Sequence, residues 1–303
     1  MIVLGLAVAH DASVTAIADG VTLGVHLRER FARRKRCALM TAETIEDALV
    51  RFGLDWKDVD AVAVASTQSW PFVFVDPDAF SFALADPAQS TLGFTPREQS
   101  AQARAQEWIR QRQSAAVRRA SQIATAKWNE YLADDLEALD LERGVLANFE
   151  WSYTPRWWTE RFSRSNVADW AQKADDLREF HLGYQAIDVT LRGVKKPGAI
   201  VPHHLAHAAL AYYQSDAESA AVYTIDNGDV WAPEPGYVGG LFALGQGNRI
   251  IPLGPNYAYH GHLYQRVAER FNLGHGGGAG KLMGLAPFGS PLFHKPDFVG
   301  NAY

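Results

Sequence analysis

The sequence predicts an α/β protein: mixed sheets with helices packed on their faces, and a helical insertion between the two halves. Three observations predict this. Short apolar runs bounded by turn residues alternate with amphipathic runs at both ends of the chain. From about Trp70 to Lys196 strand-like runs are few, and long polar stretches of helical composition replace them. The bulk values are 303 residues, 48% hydrophobic and 21% charged, ordinary for one large globular domain or two smaller ones. Residues 1–69 then form the first part of the α/β domain, 70–196 the insertion and 197–303 the continuation.

The elements follow in order. "IVLGLAVA" (2–9) and "VTAIA" (14–18) read as strands joined by "HDAS", and Asp19-Gly20 is a hairpin signal leading into a third strand, "VTLGVHL" (21–27). "TAETIEDALVRFGL" (41–54) carries apolar residues at helical spacing after Thr41, a good N-cap. "VDAVAVAS" (59–66) reads as a buried strand. After the insertion, "PGAIVPHHLAHAALAYYQSD" is a short strand and then a helix. "SAAVYTIDNGD" is a strand ending in a polar turn, "GGLFALGQGNRIIPLG" a hairpin and "LYQRVAERFNLG" an amphipathic helix. "HGGGAGKLMGLAPFGSP" reads as a glycine-rich connection, a hinge beside a cleft.

The composition argues against several roles. A net charge of −5 argues against a protein built to grip nucleic acid or an anionic membrane. The single cysteine, Cys37, cannot form an internal disulfide, which points to a reduced, cytoplasmic setting. "MIVLGLAVAH" lacks the basic leader of a signal peptide and reads as a buried strand. No run approaches the roughly 20 apolar residues of a membrane helix.

The chemistry concentrates in four stretches. Pro202 suits a first helical turn, so His203 and His207 stand four apart on one helix face, where two imidazoles can hold one cation. The positive end of the helix dipole favours their neutral, ligating form. His204 points about a third of a turn away. A polar helix start with hydrogen-bonded histidines is the plainer alternative. Asp226 ends the strand "AVYTID" just before Asn227-Gly228, where open α/β sheets place site residues; it would supply a third ligand, or else serve an Asx-turn. In "HDAS", small residues and exposed N–H groups could approach a phosphate or carbonyl oxygen, and "RERFARRKR" (28–36) could neutralise phosphate through Arg33, Arg34 or Lys35. An ordinary loop and a solvated charge run are the alternatives. "GGGAGKLMGLAPFG" (276–289) is not a P-loop: His275 stands six before Lys281, and Leu282 replaces the magnesium-binding Ser/Thr.

Five stretches in order, "AHDASVTAIADG", "RERFARRKR", "HHLAHAALAYYQSD", "YTIDNGD" and "GKLMGLAPFG", resemble the O-carbamoyltransferases of the nodulation and cephamycin type. Their amino-terminal domain is related to the tRNA threonylcarbamoyl-transferase domain. The resemblance implies an actin/hexokinase-like fold whose second half is incomplete here. It also implies a division of labour. A YrdC-like domain makes carbamoyl-adenylate from carbamoyl phosphate and ATP, and this domain passes the carbamoyl group to a hydroxyl of a small-molecule acceptor. His203, His207 and Asp226 match the family's metal ligands, a divalent metal usually assigned as Fe2+. His10 falls on the histidine of the family's "HDAS" motif and is the candidate for acid–base or carbonyl-orienting work, and Lys35 matches the basic position implied in binding carbamoyl or phosphate groups; both are the expected catalytic residues. Asp11, Ser13, Arg33, Gly228, Gly280 and Lys281 are the expected contacts to the nucleotide or carbamoyl group. Where the family has Lys-His and Glu-Gly-Lys, this chain has Lys35-Arg36 and Ala279-Gly280-Lys281.

The family continues past the point matching Tyr303, with a further aspartate ligand and the YrdC-like domain. The expectation is a fragment, one chain of a split enzyme or a shortened relative, completed by a second chain or a carboxy-terminal part. Two rival readings keep the fold: a tRNA threonylcarbamoyl-transferase relative, or a binding or regulatory subunit without catalysis. An actin-like ATPase or kinase is a third, but it gives the histidine pair no role.

Overall fold

The computed structural model describes residues 1–8, 11–35, 37–65, 72–96, scattered positions from 98 to 106, 147–149, 185–201, 203–226, 240–256, 260–274 and 278–290. His10, Pro202 and Gly228 lie outside the described residues, as do 107–146 and 150–184 of the expected insertion. Elements are numbered below in chain order among the described residues.

The chain opens with an antiparallel meander of β1 (Ile2–Ala7), β2 (Ser13–Ala18) and β3 (Val21–Leu27). Asp19 and Gly20 turn the β2–β3 hairpin with φ of 49° and 84°, the doubly positive geometry that matches strand twist. Alternation sends Leu4 and Leu6 of β1 and Val14 and Ala16 of β2 into the core. A single turn of helix, α1 (Arg28–Ala32), follows β3. In α2 (Ala42–Phe52) the Thr41 hydroxyl accepts the Thr44 N–H at 3.2 Å, and Ile45, Ala48 and Leu49 face the core. β4 (Ala61–Ala65) then lies parallel to β1.

β5 (Phe72–Phe74) pairs with β7 (Ala147–Phe149) in a separate two-stranded sheet. β6 (Phe80–Leu84), β8 (Gln185–Leu191) and β9 (Val194–Val201) complete the larger sheet, whose order is β3-β2-β1-β4-β9-β8-β6. β9 runs parallel to β4, whereas β8 is antiparallel to both β9 and β6. This corrects the expectation that 70–196 lies outside the sheet. "FSFAL" and "QAIDVTL" are true period-two strands, burying Phe80 and Phe82, and Ile187, Val189 and Leu191. Polar stretches beside them dilute a signal only five to seven residues long.

β9 leads into α3 (His203–Tyr213), and a smaller antiparallel sheet follows: β10 (Ser219–Tyr223), β11 (Gly240–Gln246) and β12 (Arg249–Asn256). Leu205, Ala208 and Tyr212 of α3 pack on Val222, Leu241 and Ala243 of that sheet. Buried apolar side chains of this size stabilise by about 1.5–3 kcal/mol each. The Tyr212 hydroxyl donates to the carbonyls of Glu218 and Gly247, at 2.8 and 3.1 Å, closing the turn end of the sheet. Two helices end the described chain, α4 (His260–Arg270) and α5 (Gly278–Leu285). The helix α5 stands where the glycines predicted a connection. Packing overrides propensity there: Gly278 sits so close to α4 that a β-carbon would come within 2.9 Å of that of Ala268. Among the described residues no helix is long and apolar enough to cross a membrane.

Candidate metal centre

Three parallel strands, β1, β4 and β9, bring their carboxyl ends to one edge of the larger sheet. Ala7 lies opposite Ala65, Ala65 lies opposite Val201, and the Val8 N–H donates to the Ala65 carbonyl at 2.9 Å. The "HDAS" loop and the start of α3 therefore leave the sheet from neighbouring strand ends, the edge where such sheets build sites. The basic segment reaches the same loop through the backbone of Ala12. Its carbonyl accepts the Arg28 N–H at 2.8 Å, and its own N–H donates to the Cys37 carbonyl at 2.7 Å. Residues 28–37 thus begin and end on one residue of that loop.

His203 and His207 lie one helical turn apart on α3, and Asp226 follows β10 by three residues. The Asp226 Oδ2 atom is 2.5 Å from His203 Nε2 and 3.2 Å from His207 Nε2, and the two nitrogens are 3.1 Å apart. The side chains are partly open to solvent, 20%, 47% and 35% exposed for His203, His207 and Asp226. His204 turns the other way into the core, its ring edge-on to that of His203 at 5.2 Å.

This donor set fits a divalent cation. Two imidazole nitrogens and a carboxylate oxygen all bear lone pairs, and aimed at one point they repel unless a proton or a cation lies between them. Ligands about 2.0–2.2 Å from a common ion, at right angles to one another, stand about 3 Å apart, close to the spacings seen. His203, His207 and Asp226 could therefore hold such an ion, and three protein ligands leave further coordination positions open.

The other expected site residues are spread more widely. Asp11, exposed, has a φ of 65° in the loop before β2, and Ser13 opens β2 opposite Ala7 and Leu27. Arg33 ends α1 in the left-handed region with a φ of 55°, and Lys35 is 86% exposed, its Nζ 4.0 Å from Glu29 Oε1. Gly280 and Lys281 stand on α5, where Lys281 Nζ donates to the Leu273 carbonyl at 2.9 Å, beyond the end of α4. The structure thus brings together the three expected metal ligands and ties the basic loop to "HDAS", while giving Lys281 a partner elsewhere. Two contributors escaped the sequence reading. Arg28 is buried, which draws its guanidinium pKa down, and the Cys37 thiol donates to the Arg34 carbonyl at 3.2 Å. Only the strand boundary at Leu27 could have hinted that Arg28 turns inward.

Comparison with known proteins agrees with this frame. A family model described as carbamoyltransferase N-terminus matches residues 2–296. Nodulation protein NolNO of Sinorhizobium fredii is 37% identical over 103 residues, 33% of this chain and 14% of that protein. The uncharacterized protein sll1178 of Synechocystis sp. is 36% identical over 93 residues, 30% of this chain and 14% of that protein. The matched stretches cover a small share of either relative's length. With the family match running through nearly every element described above, the chain belongs to the carbamoyltransferase N-terminal family.

Proposed function

We propose that this chain carries the transfer site of a metal-dependent carbamoyltransferase. It moves the carbamoyl group of carbamoyl-adenylate to a hydroxyl of a small-molecule acceptor. The adenylate comes from ATP and carbamoyl phosphate on a YrdC-like domain outside these 303 residues. One observation carries this reading: in a chain of this family, His203, His207 and Asp226 converge on one point beside the sheet edge that bears "HDAS". The fold is read as actin/hexokinase-like. An antiparallel three-strand meander extended by the parallel strands β4 and β9 supports that.

The chain's own residues divide the work. His203, His207 and Asp226 hold the divalent metal, with Fe2+ as the expected ion. When bound, the ion supplies Lewis-acid polarisation of the carbamoyl carbonyl. Arg33 and Lys35, on the loop moored to Ala12, offset phosphate charge, and Asp11, Ser13 and Gly228 are the expected contacts of the adenylate. His10 takes the proton of the acceptor hydroxyl as its oxygen bonds to the carbamoyl carbon. The bond from that carbon to the phosphate oxygen then breaks, and AMP leaves with the electron pair. A cytoplasmic setting suits ATP and carbamoyl phosphate as co-substrates.

The test supplies carbamoyl-adenylate, or the YrdC-like part with ATP and carbamoyl phosphate, to the chain loaded with Fe2+ and follows AMP release in the presence of a hydroxyl acceptor. Acceptor-dependent release that a chelator stops supports the reading. Release that ignores both acceptor and chelator sinks it.

A further inference from the structure

We infer that Thr224 and Asn256 form a bracket that positions Asp226 for metal binding; the inference rests on the metal reading above. The ladder between β10 and β11 stops at the pair Tyr223–Phe242, and Asp226 lies three residues further on. In between, the backbone N–H, the carbonyl and the hydroxyl oxygen of Thr224 are all engaged. Its N–H donates to the Leu241 carbonyl at 2.9 Å, its Oγ1 accepts the Leu241 N–H at 2.8 Å, and its carbonyl accepts the Asn256 side-chain amide at 3.0 Å. Thr224 and Asn256 are 6% and 3% exposed. Gly240, opposite Asn256 in the β11–β12 register, completes the bracket: a β-carbon there would lie 1.7 Å from the Thr224 carbonyl oxygen. No side chain fits at 240 without moving Thr224.

Chain geometry turns this into a constraint on the carboxylate. Two residues of chain span at most about 7 Å, so a displacement of Thr224 reaches Asp226 with little slack. The histidines are fixed by a separate route, since α3 rests on the same sheet through Leu205, Ala208 and Tyr212. The bracket therefore sets where the strand end leaves the sheet relative to the helix that carries His203 and His207. The opposite end of the sheet is closed by the Tyr212 hydroxyl on Glu218 and Gly247, remote from the ligands. It offers a control that loosens the same sheet without touching the bracket.

The experiment is Co2+ titration of the purified chain by calorimetry, with thermal melting of the metal-free protein alongside. Thr224→Val keeps the shape but removes the acceptor, and Asn256→Ala removes the donor to the Thr224 carbonyl. Both should weaken Co2+ binding about 10- to 100-fold, the usual cost of losing a residue that supports a metal ligand. Thr224→Ser keeps the acceptor and should bind as the wild type does. Tyr212→Phe keeps the ring that seats α3 and removes only the hydroxyl on Glu218 and Gly247, so it should melt earlier yet bind Co2+ unchanged. Wild-type affinity in both Thr224→Val and Asn256→Ala overturns the bracket alone, and so does an equal loss in Tyr212→Phe. A wild-type chain that takes up no Co2+ overturns the metal reading and the bracket together. Should Thr224→Val fail to fold, Asn256→Ala against Tyr212→Phe decides.

Discussion

The two sheets of this protein are finished differently. The larger one closes over a core in which Leu4, Leu6, Val14, Ile45, Val64, Ile187 and Ile200 are at most 1% exposed. Among the described residues, the smaller one packs one face against α3. On its other face Tyr223 and Phe242 stack at 4.7 Å while remaining 46% and 36% exposed. The candidate ligands stand on the thinner side of this contrast: His203 and His207 on the helix that follows β9 and packs on the smaller sheet, and Asp226 on the loop that leaves that sheet. The deep core fixes the strand end from which α3 departs, and the smaller sheet carries the ligands. Stability and chemistry are thereby assigned to different regions, so they should be separable by mutation.

The largest effects should come from the ligands, with the smallest change in folding. Asp226→Ala or His203→Ala should reduce Co2+ binding by more than the about 10- to 100-fold that a supporting residue costs. The unfolding midpoint in urea should hold, because both side chains are partly exposed and sit outside the two cores. Binding that survives either change would end the separation. His10→Asn probes the acid–base role proposed for that residue. It should slow carbamoyl transfer about 10²–10⁴-fold, the usual contribution of a general acid or base, and leave Co2+ affinity intact. An unchanged rate would remove His10 from the proton path.

Folding variants test the other half of the contrast. Leu4→Ala, in the larger core, should cost about 2–5 kcal/mol of stability. Phe242→Ala, on the open face of the smaller sheet, should cost about 1 kcal/mol or less, since it surrenders part of one aromatic contact and little buried area. The pair is read from urea unfolding curves. Equal losses would mean that the smaller sheet is buried in solution to the same degree as the larger.

These contrasts also track what was legible in the sequence. Elements whose signal is local came through: the Asp19-Gly20 hairpin, the Thr41 cap, and the i, i+4 spacing of His203 and His207 all act within a few residues. Asp226 was expected at the end of its strand, but β10 stops at Tyr223, three residues short of it. β6 and β8 were not legible: each is a short run beside polar stretches, and β6 has its partner far away in sequence, although β8 also forms a hairpin with β9 through Arg192-Gly193. α5 was missed for the opposite reason: its glycines speak for a loop, whereas Gly278 packs closely on Ala268 of α4, a contact no local pattern announces. The Thr224–Asn256 bracket could not be read at all. An asparagine after proline looks like a turn residue, and its partner lies 32 positions away.

The smallest expected effect concerns pH, and it belongs to the larger sheet alone. His26 on β3 is 7% exposed, with its ring edge-on to Phe31 of α1 and its Nε2 3.1 Å from Asp47 Oδ2 on α2. Burial pushes its pKa below the usual histidine value of 6.5, against the pull of Asp47, and Arg51, which itself donates to Asp47, pushes the same way as burial. The folded chain thus binds a proton on His26 less readily than the unfolded chain does. Stability from this group is complete above the unfolded pKa of about 6.5 and falls as pH drops through the folded value. Glu43 sits in a separate window. Hydrogen bonding to its own backbone N–H, with help from Arg192, holds its pKa below 4.5, so its share is lost only in stronger acid. Urea midpoints measured from pH 7.5 downward should therefore fall in the wild type below about pH 6.5, before the carboxylates titrate. In His26→Gln that part of the slope should flatten, while Co2+ binding above pH 7 stays as in the wild type. Parallel slopes in the two proteins would show that protons enter elsewhere, and a change in Co2+ binding would show that the two regions are coupled after all.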